Sequence, residues 1–471
     1  MVQDVRTGAT SADDLTAQMM YNVLIKGLDG GPIRWRSSLK NTIYDVLQSK
    51  ADWAETESET DWDFFWADKG WIHHELDKMH LADWQRINHF PNHYELTRKD
   101  LLIKNLKRAK KQLEREDRAA EAAQYNFFPL TFVVPSEYRM FVEEFKRSGG
   151  VWIMKPIGKA QGQGIFLFNK LSQISDWRRD HTWKPGQETQ EGDDGPETYL
   201  AQRYLESPYL VGGKKFDLRI YALVTSYSPL RIFLYRSGFA RFTNARYSTR
   251  KEDITNTFVH LTNVAIQKHA PNFDAQKGLK WSIRSLRTYI ATKHGAEAAS
   301  ELFHAIQNII IRALLAVQPA MINDKHCFEL YGYDVMIDSN LKPWLIEVNA
   351  SPSLTASDKT DWVLKTAMLE DLLDIVDLEG KREAGKVELR MGGFDLIWDG
   401  GPVMRFDKPT SLPSMLGCYN ERDRNQLRVY KKTGPPESGK EMRSARPRPE
   451  GGGAGGAAGA GAGAGAGGKL P

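Results

Sequence analysis

The stretch that most constrains this chain is residues 327–353, CFELYGYDVMIDSNLKPWLIEVNASPS. Two short runs, GYDVMID and KPWLIEVN, flank the polar pair Ser339-Asn340, a pattern typical of a β-hairpin. With a loop of two or four residues, Asp334 would oppose Leu345 and Gly332 would oppose Glu347. Because alternate residues of a strand share a face, one face would be apolar. That face would comprise Tyr333, Val335, Ile337, Trp344, Ile346 and Val348.

The other face of the hairpin would carry three oxygen donors, Asp334, Glu347 and Asn349. Diagonal neighbours of a two-stranded ribbon lie about 7–8 Å apart, so the two carboxylates could share an ion. Such hard ligands suit Mg²⁺, which usually takes its remaining ligands from nucleotide phosphates. A solvated sheet face is the alternative, and the hairpin alone does not choose between the two interpretations.

Composition limits the class of protein. A chain of 471 residues has room for two or three domains, and 41% hydrophobic residues exclude a chain that is disordered throughout. The presence of only two cysteines argues against a disulfide framework and for a reducing compartment. No signal peptide is recognisable, and Arg312 interrupts the longest apolar run, so we expect a soluble intracellular protein.

Charge is more informative in its distribution than in its total. The formal net charge of +4 is too small to indicate nucleic-acid binding. Residues 98–118 and 421–449 each hold nine Lys or Arg against four Asp or Glu. Such segments attract an acidic partner or are simply a solvated helix face or tail.

The region from residue 19 to about residue 94 holds six tryptophans, and five histidines lie between residues 73 and 93 of it. Their spacing matches no zinc pattern and no cysteine is nearby, which favours core and surface histidines over a metal site.

A glycine-containing loop, IGKAQGQGIFLF, follows the strand-like run VWIMKP. Gly158, Gly162 and Gly164 would let the backbone approach a phosphate, and Lys155 and Lys159 could neutralise it. The loop lacks the Ser or Thr of a P-loop and the third glycine of a dinucleotide fingerprint. A plain hairpin turn remains the alternative.

Periodicity predicts helices over 101–123, 281–294, 296–321 and 361–377, and a further helix that follows FFPLTFVVPSEY and ends at residue 148. Strands are expected in FDLRIYALVTSYSPLRIFLYRSGFARF, with Asp217 and Arg219 on one face, either as an ion pair or to position phosphate. The expected parts are a flexible N-terminus (1–18), an N-terminal domain (19–95), a central domain with the glycine loop (96–210), a C-terminal domain with the ion site (211–378) and a mostly disordered tail (379–471). Within these, 180–197 is expected to be an exposed insertion, GGFDLIWDGGPV could dock as a strand, and 451–468 is a Gly/Ala tract.

Together these segments resemble the tubulin tyrosine ligase-like family. The matching blocks are INHFPNHYELTRKDLLIKNLKR, WIMKPIGKAQGQGIFLF, GGKKFDLRIYALV, FVHLTNVAIQKH, DKHCFELYGYDV and KPWLIEVNASPSLT, in the family's order over about residues 88–376. The resemblance implies an α+β, ATP-grasp-like fold of antiparallel sheets with flanking helices. Within the family the chain is most similar to the polyglutamylases of cilia and flagella, which implies a cytoplasmic protein of the cytoskeleton, axoneme and basal body.

The family's chemistry would then apply. ATP phosphorylates a carboxylate, and the amine of a free amino acid attacks the acylphosphate. For a polyglutamylase that amino acid is L-glutamate, and the acceptor is a γ-carboxylate in the acidic C-terminal tail of tubulin. The cofactors implied are ATP and Mg²⁺.

The resemblance also assigns residues. For ATP it implies Lys155, Gln161, Gly162, Gln202, Arg203, Tyr204, Leu205, Lys215, Asp217, Thr262 and Asn263. For Mg²⁺ it implies Asp334, Glu347 and Asn349; for glutamate, Arg241 and Lys268; for catalysis, Arg219 and Glu347. An arginine can bind a carboxylate through two parallel hydrogen bonds, so Arg241 suits glutamate better than glycine or tyrosine, unless it serves as a strand-end ion pair.

One departure from the family concerns recruitment. Several autonomous members carry a long cationic helical extension after the catalytic core, whereas here only the modest basic segment 421–449 is present. We therefore expect recruitment through accessory subunits or through another patch such as residues 98–118.

Three rival functions are compatible with parts of the sequence. The chain could ligate glycine or tyrosine, or it could be a microtubule-binding structural protein with an inactive ATP-grasp fold. The joint presence of lysine, metal carboxylates and glycine loop argues against inactivity. A kinase is disfavoured because its catalytic-loop and magnesium-binding signatures are missing.

Overall fold

The computed structural model describes residues 31–159, 161–174, 198–271, 273, 280–382, 388–403 and 413–420. The predictions made for segments 1–18, 180–197, 421–449 and 451–468 lie outside the described residues.

Every helix predicted from periodicity is present among the described residues, but the one predicted over 101–123 is divided into two, and five shorter helices were not predicted. The α-helices of the described residues are α1 (Thr42–Gln48), α2 (Lys69–His74), α3 (Tyr94–Thr97), α4 (Lys99–Arg115), α5 (Ala119–Ala123), α6 (Tyr138–Ser148), α7 (Thr257–His260), α8 (Val264–Gln267), α9 (Ile283–His294), α10 (Ala296–Val317) and α11 (Lys359–Val376). The strands are β1 (Ile33–Ser37), β2 (Trp53–Glu55), β3 (Phe64–Trp66), β4 (Arg86–Ile87), β5 (Thr131–Val134), β6 (Trp152–Pro156), β7 (Phe166–Phe168), β8 (Tyr199–Arg203), β9 (Phe216–Tyr227), β10 (Leu230–Tyr235), β11 (Phe239–Phe242), β12 (Lys280–Ser282), β13 (Glu329–Ile337), β14 (Pro343–Asn349), β15 (Arg390–Met391) and β16 (Phe394–Asp399).

The largest sheet is organised around the long strand β9. One edge of β9 pairs with β13, which in turn pairs with β14; the other edge pairs with β11 and β10. A second antiparallel sheet has the order β5-β8-β6-β7, and an N-terminal sheet has the order β2-β1-β3-β4. The expected α+β class is confirmed. The first two sheets are antiparallel, as expected, but the N-terminal sheet is parallel.

Helix α10 forms much of the apolar core beneath the large sheet. Ile306, Ile310, Leu314 and Val317 recur at helical spacing, and none is measurably exposed. Burying each such side chain stabilises the fold by roughly 1.5–3 kcal/mol. Residues 296–320 are long and apolar enough to cross a membrane, but most of that window is buried inside the protein, as in a core helix.

The predicted register of the β13–β14 hairpin is wrong. Asp334 lies directly opposite Glu347, and Gly332 opposite Asn349, whereas Val335 opposes Leu345. The register therefore shifts between Asp334 and Val335, and β14 carries one extra residue there, a β-bulge. A bulge reverses the alternation of faces, which could not be read from the spacing alone.

The bulge changes which side chains enter the core. Tyr333, Val335, Ile337 and Val348 are buried there as predicted, and Leu345 joins them. Trp344 and Ile346, predicted on the same face, are only partly buried. The oxygen donors nevertheless remain together, because Glu347 and Asn349 both follow the bulge.

The fold extends past the boundary expected at residue 378. Strand β16 pairs with β10, and Phe394 and Leu396 are buried against it. The segment GGFDLIWDGGPV thus docks as a strand, as the sequence suggested it could. Of the segment 379–471, the structure describes residues 379–382, 388–403 and 413–420, and β15 and β16 within it belong to the large sheet.

Candidate active site

A row of charged side chains crosses four strands of the large sheet. Arg219 on β9 lies opposite Asp334 on β13, and Asp334 lies opposite Glu347 on β14. Asp217 shares the face of Arg219, as predicted, because it is two residues away, and it lies opposite Arg241 on β11. Five charged groups thus meet on one side of the sheet.

Asp334 is held between two arginines. Arg219 donates through Nε to Oδ1 (2.6 Å) and through Nη2 to Oδ2 (3.2 Å), and Arg241 donates through Nη2 to Oδ2 (2.7 Å). Arg241 also donates to both oxygens of Asp217. Burial acts to raise the pKa of Asp334, but the two guanidinium groups outweigh it and lower that pKa below its ordinary value. Asp334 is therefore a fixed anion at neutral pH.

Glu347 places a second carboxylate next to that of Asp334. Burial and the neighbouring Asp334 raise the pKa of Glu347, while Lys99, whose Nζ lies 3.7 Å from a Glu347 oxygen, acts to lower it. Asn349 adds an amide and donates through Nδ2 to the carbonyl of Gly332 (3.2 Å). Two carboxylates in contact, beside an amide oxygen, form a donor set that a divalent cation would stabilise. The residues present therefore fit the Mg²⁺ site predicted from the sequence.

Two buried lysines face the same space. Lys155 on β6 donates to Gln202 Oε1 (2.6 Å), and burial lowers its pKa to about 8. Lys215 donates to the hydroxyl of Tyr204 (2.9 Å) and to the carbonyl of His260 (2.7 Å), and burial lowers its pKa to about 7. An anion that enters this space would favour the protonated form of each lysine.

The glycine loop folds over this space with a left-handed backbone. Gly162 has φ +83°, and a Cβ placed on it would come within 2.6 Å of Ile266 Cδ1 and 3.1 Å of Asn263 Oδ1. Gln161 has φ 60°. The close approach of the loop to Asn263 requires glycine at position 162.

These groups line one cavity of about 120 Å³. All the residues predicted for ATP and Mg²⁺ line it: Lys155, Gln161, Gly162, Gln202, Arg203, Tyr204, Leu205, Lys215, Asp217, Thr262, Asn263, Asp334, Glu347 and Asn349. A larger cavity of about 710 Å³ lies elsewhere, between α10, α5 and β16. The smaller one is the candidate site, because it joins the carboxylates of two strands to the lysines and the glycine loop.

Some predicted residues contribute differently or not at all. Arg219 and Arg241 support Asp334 without lining the cavity. The side chain of Arg203 turns away to the carbonyl of Gly149, so only its backbone suits a nucleotide. Lys268 is exposed at the end of α8 and does not line the cavity.

Sequence reasoning missed several lining residues. Lys99 begins α4 and reaches Glu347 across the cavity, but in sequence it is one of nine basic residues in its segment. Met336 and Ile346 form an apolar wall beside Glu347; Ile346 was assigned to the wrong face because the bulge was not recognised. His260 also lines the cavity, and burial together with Lys215 lowers its pKa to about 4.

Comparison with known proteins places this site in a family. The tubulin-tyrosine ligase family pattern matches residues 76–384, which include every residue of the cavity. The chain is 50% identical over 427 residues to the probable tubulin polyglutamylase TTLL9 of Mus musculus, covering 84% of this chain and 92% of that protein. It is 46% identical over 369 residues to the probable tubulin polyglutamylase ttll-9 of Caenorhabditis elegans, covering 78% and 84%. It is also 46% identical over 360 residues to the probable alpha-tubulin polyglutamylase Ttll1 of Tetrahymena thermophila, covering 72% and 86%. The chain belongs to the tubulin-tyrosine ligase family.

Proposed function

We propose that this chain is a tubulin polyglutamylase that uses ATP and Mg²⁺ to join L-glutamate to γ-carboxylates in tubulin C-terminal tails. The observation that carries the proposal is that Glu347 and Asp334 line one cavity together with Lys155 and the glycine loop. The names of the relatives supply the substrate class, and the matches to them extend over most of their length and most of this chain. The cavity lies between two antiparallel sheets, and this arrangement supports an ATP-grasp-like fold.

The chemistry proceeds in two steps. An oxygen of the acceptor γ-carboxylate attacks the γ-phosphorus of ATP, the bond to ADP breaks, and an acylphosphate forms. The amine of free glutamate then attacks the acyl carbon, inorganic phosphate leaves, and the amine releases a proton as the amide forms. Both steps bring negative oxygens together, so fixed cationic groups aimed at that charge lower the barrier.

The residues of the chain divide this task. Lys155 and Lys99 lie where phosphates would be neutralised, and the loop of Gln161 and Gly162 would cover them. Asp334, Glu347 and Asn349 would hold Mg²⁺, which supplies charge neutralisation and Lewis acidity to the phosphates. Arg219 keeps the Asp334 carboxylate ionised and oriented.

The selection of the amino acid rests on Arg241. Its guanidinium is paired with Asp217 and Asp334, so the ion-pair interpretation of this residue is realised in the structure. A role in holding glutamate requires the substrate carboxylate to take a place in that network. Lys268 caps the C-terminal end of the short helix α8, whereas the cavity residue Asn263 caps its N-terminal end, so exposed Lys268 would have to swing inward to take part.

We further propose that the protein acts in the cytoplasm on the microtubules of cilia and flagella, including the axoneme and basal body, and that accessory subunits assist its recruitment. These proposals rest on the resemblance to ciliary polyglutamylases described above.

The test of this function measures which amino acid the chain joins to tubulin. Purified full-length chain is incubated with tubulin, ATP and Mg²⁺, and with radiolabelled glutamate, glycine or tyrosine in separate reactions. ATP-dependent labelling of tubulin by glutamate alone is expected. Preferential labelling by glycine or tyrosine would reassign the substrate, and labelling by none of the three would favour the inactive structural protein.

A further inference from the structure

A stripe of basic side chains runs along the outer face of α4. Lys104, Arg108, Lys111 and Arg115, here called the α4 stripe, are spaced three or four residues apart and are all exposed. The opposite face of the helix buries Leu102, Ile103, Asn105 and Leu106. The four side chains therefore point to solvent along one line.

The α4 stripe differs from the other basic residues of its segment in its partners. Arg98 pairs with Asp100, Lys99 with Glu347, and Lys107 with Glu137. Within the part of the chain that the structure describes, the four stripe residues make no ion pair. Like charges one helical turn apart repel each other, so the mutual repulsion of the four stripe residues does not stabilise the helix.

The position of the α4 stripe relates it to the active site. Lys99, the first residue of the helix, lines the cavity, and Arg115 is its last residue. At 1.5 Å per residue these ends lie about 24 Å apart, a distance spanned by roughly seven or eight extended residues. On the helix the stripe lies about 150° from Lys99, so it is a surface separate from the cavity.

The chemistry of the stripe selects the kind of partner. Same-face carboxylates of an extended glutamate-rich peptide recur about every 6.6–6.8 Å, close to the roughly 6 Å rise between residues four apart on the helix. Helix α4, KDLLIKNLKRAKKQLER, contains no aromatic residue on which a nucleic-acid base could stack. Charge and spacing thus favour an acidic polypeptide over a single-stranded nucleic acid.

We propose that the α4 stripe docks a glutamate-rich segment of the acceptor protein while another part of that protein reaches the cavity. This inference rests on the proposed function and deepens it by naming an acceptor-binding surface outside the active site. Because the stripe is separate from the cavity, it should govern acceptor affinity and leave the chemistry unchanged.

The test compares two quadruple variants of the full chain with equal charge loss. The stripe variant carries Lys104→Gln, Arg108→Gln, Lys111→Gln and Arg115→Gln. The control variant removes four exposed basic side chains of α6 and α9: Arg139→Gln, Lys146→Gln, Arg147→Gln and Lys293→Gln. Glutamine supports a helix about as well as lysine or arginine, and circular dichroism checks the fold. The single substitution Arg108→Gln, expected to weaken binding two- to threefold, provides the test should the quadruple variant fail to fold.

Fluorescence anisotropy with a labelled glutamate-rich peptide provides a readout independent of catalysis. Wild type and control variant are expected to bind it, the stripe variant at least tenfold more weakly, and added salt should weaken all binding. Equal binding by the stripe variant and wild type, an equal loss in the control variant, or tighter binding of an oligonucleotide of matched charge would each overturn the proposal.

Steady-state kinetics with tubulin provide the second readout. The stripe variant should show a raised KM for tubulin, with kcat and the KM for ATP within twofold of wild type. A fall in kcat with unchanged KM for tubulin would contradict a docking role. If wild type ligates no amino acid, the proposed function fails, while the peptide binding still decides the docking surface.

Discussion

At the scale of single residues, the site depends on how its charges compensate each other. Asp334 is held ionised by Arg219 and Arg241, whereas Glu347 has an adjacent carboxylate and one lysine within 4 Å. A divalent cation would convert this repulsion into attraction. We therefore expect the charge of Glu347 to matter more for the ligand than for the fold.

Replacing Glu347 with glutamine tests that separation. The variant Glu347→Gln is expected to lose at least about 100-fold in ATP-dependent glutamate incorporation, because one anionic ligand of the cation is gone. Its melting temperature should equal or exceed that of wild type, since a repelled carboxylate is removed. Glu301→Gln, at an exposed position of α10, is the matched control and should change neither quantity. Full activity of Glu347→Gln would remove Glu347 from the mechanism.

Lys155 gives the site a defined pH dependence. Burial lowers its pKa to about 8, and an anionic phosphate favours its protonated form, so ATP binding should take up a proton. The affinity for ATP should then fall as the pH rises from about 8 to 10, a range above the second phosphate ionisation near pH 6. Isothermal titration calorimetry in buffers of different ionisation enthalpy measures the uptake directly.

The variant Lys155→Arg is the control for that measurement. Arginine stays charged over this range, so the variant should bind ATP with reduced proton uptake; the remainder would come from Lys215. Absence of proton uptake in wild type near pH 8.5 would contradict the assignment.

At the scale of elements, the limits of sequence reasoning are visible in β14. The alternation of GYDVMID and KPWLIEVN correctly predicted a hairpin with Asp334, Glu347 and Asn349 on one face. The extra residue in β14 was not predictable, because periodicity carries no signal for a bulge that tertiary packing selects. Lys99 was missed for a related reason: its role depends on where α4 starts relative to a strand more than 200 residues away.

The glycine loop provides a prediction at this scale. Gly162→Ala introduces a Cβ 2.6 Å from Ile266 Cδ1 on a left-handed backbone, which costs about 1–2 kcal/mol and should raise the KM for ATP by about tenfold. Gly158→Ala is the matched control in the same loop, since its Cβ would meet no atom within 4 Å. Equal KM values for the two variants would show that the loop does not close on the nucleotide.

At the scale of the whole molecule, the strands after residue 388 complete the large sheet. Phe394 and Leu396 are buried, Asp399 pairs with Arg231 on β10, and Asp395 pairs with Arg236, the residue after β10. Sequence reasoning recognised that GGFDLIWDGGPV could dock as a strand but placed the end of the fold at about residue 378, because two short strands give a weak pattern and derive their stability from the sheet they join.

Two truncations test this contribution. A chain ended after residue 382 loses β15 and β16, exposes the edge of β10, and should unfold or aggregate, because each buried apolar side chain lost costs roughly 1.5–3 kcal/mol against a total stability of about 5–15 kcal/mol. A chain ended after residue 428 keeps both strands and should melt within a few degrees of the full chain. Differential scanning calorimetry compares the two, and equal melting temperatures would contradict a structural role for the strands.

The central claim, that carboxylates on β13 and β14 and the loop opposite them form the centre of a glutamate ligase, is tested most directly by mass spectrometry of tubulin tails. Tubulin is incubated with the purified full chain, ATP, Mg²⁺ and glutamate, in parallel with Glu347→Gln. We predict tail peptides heavier by whole glutamyl residues, linked through γ-carboxylates, that appear only with ATP and wild type. Unmodified tails with wild type, or equal modification by Glu347→Gln, would contradict the account.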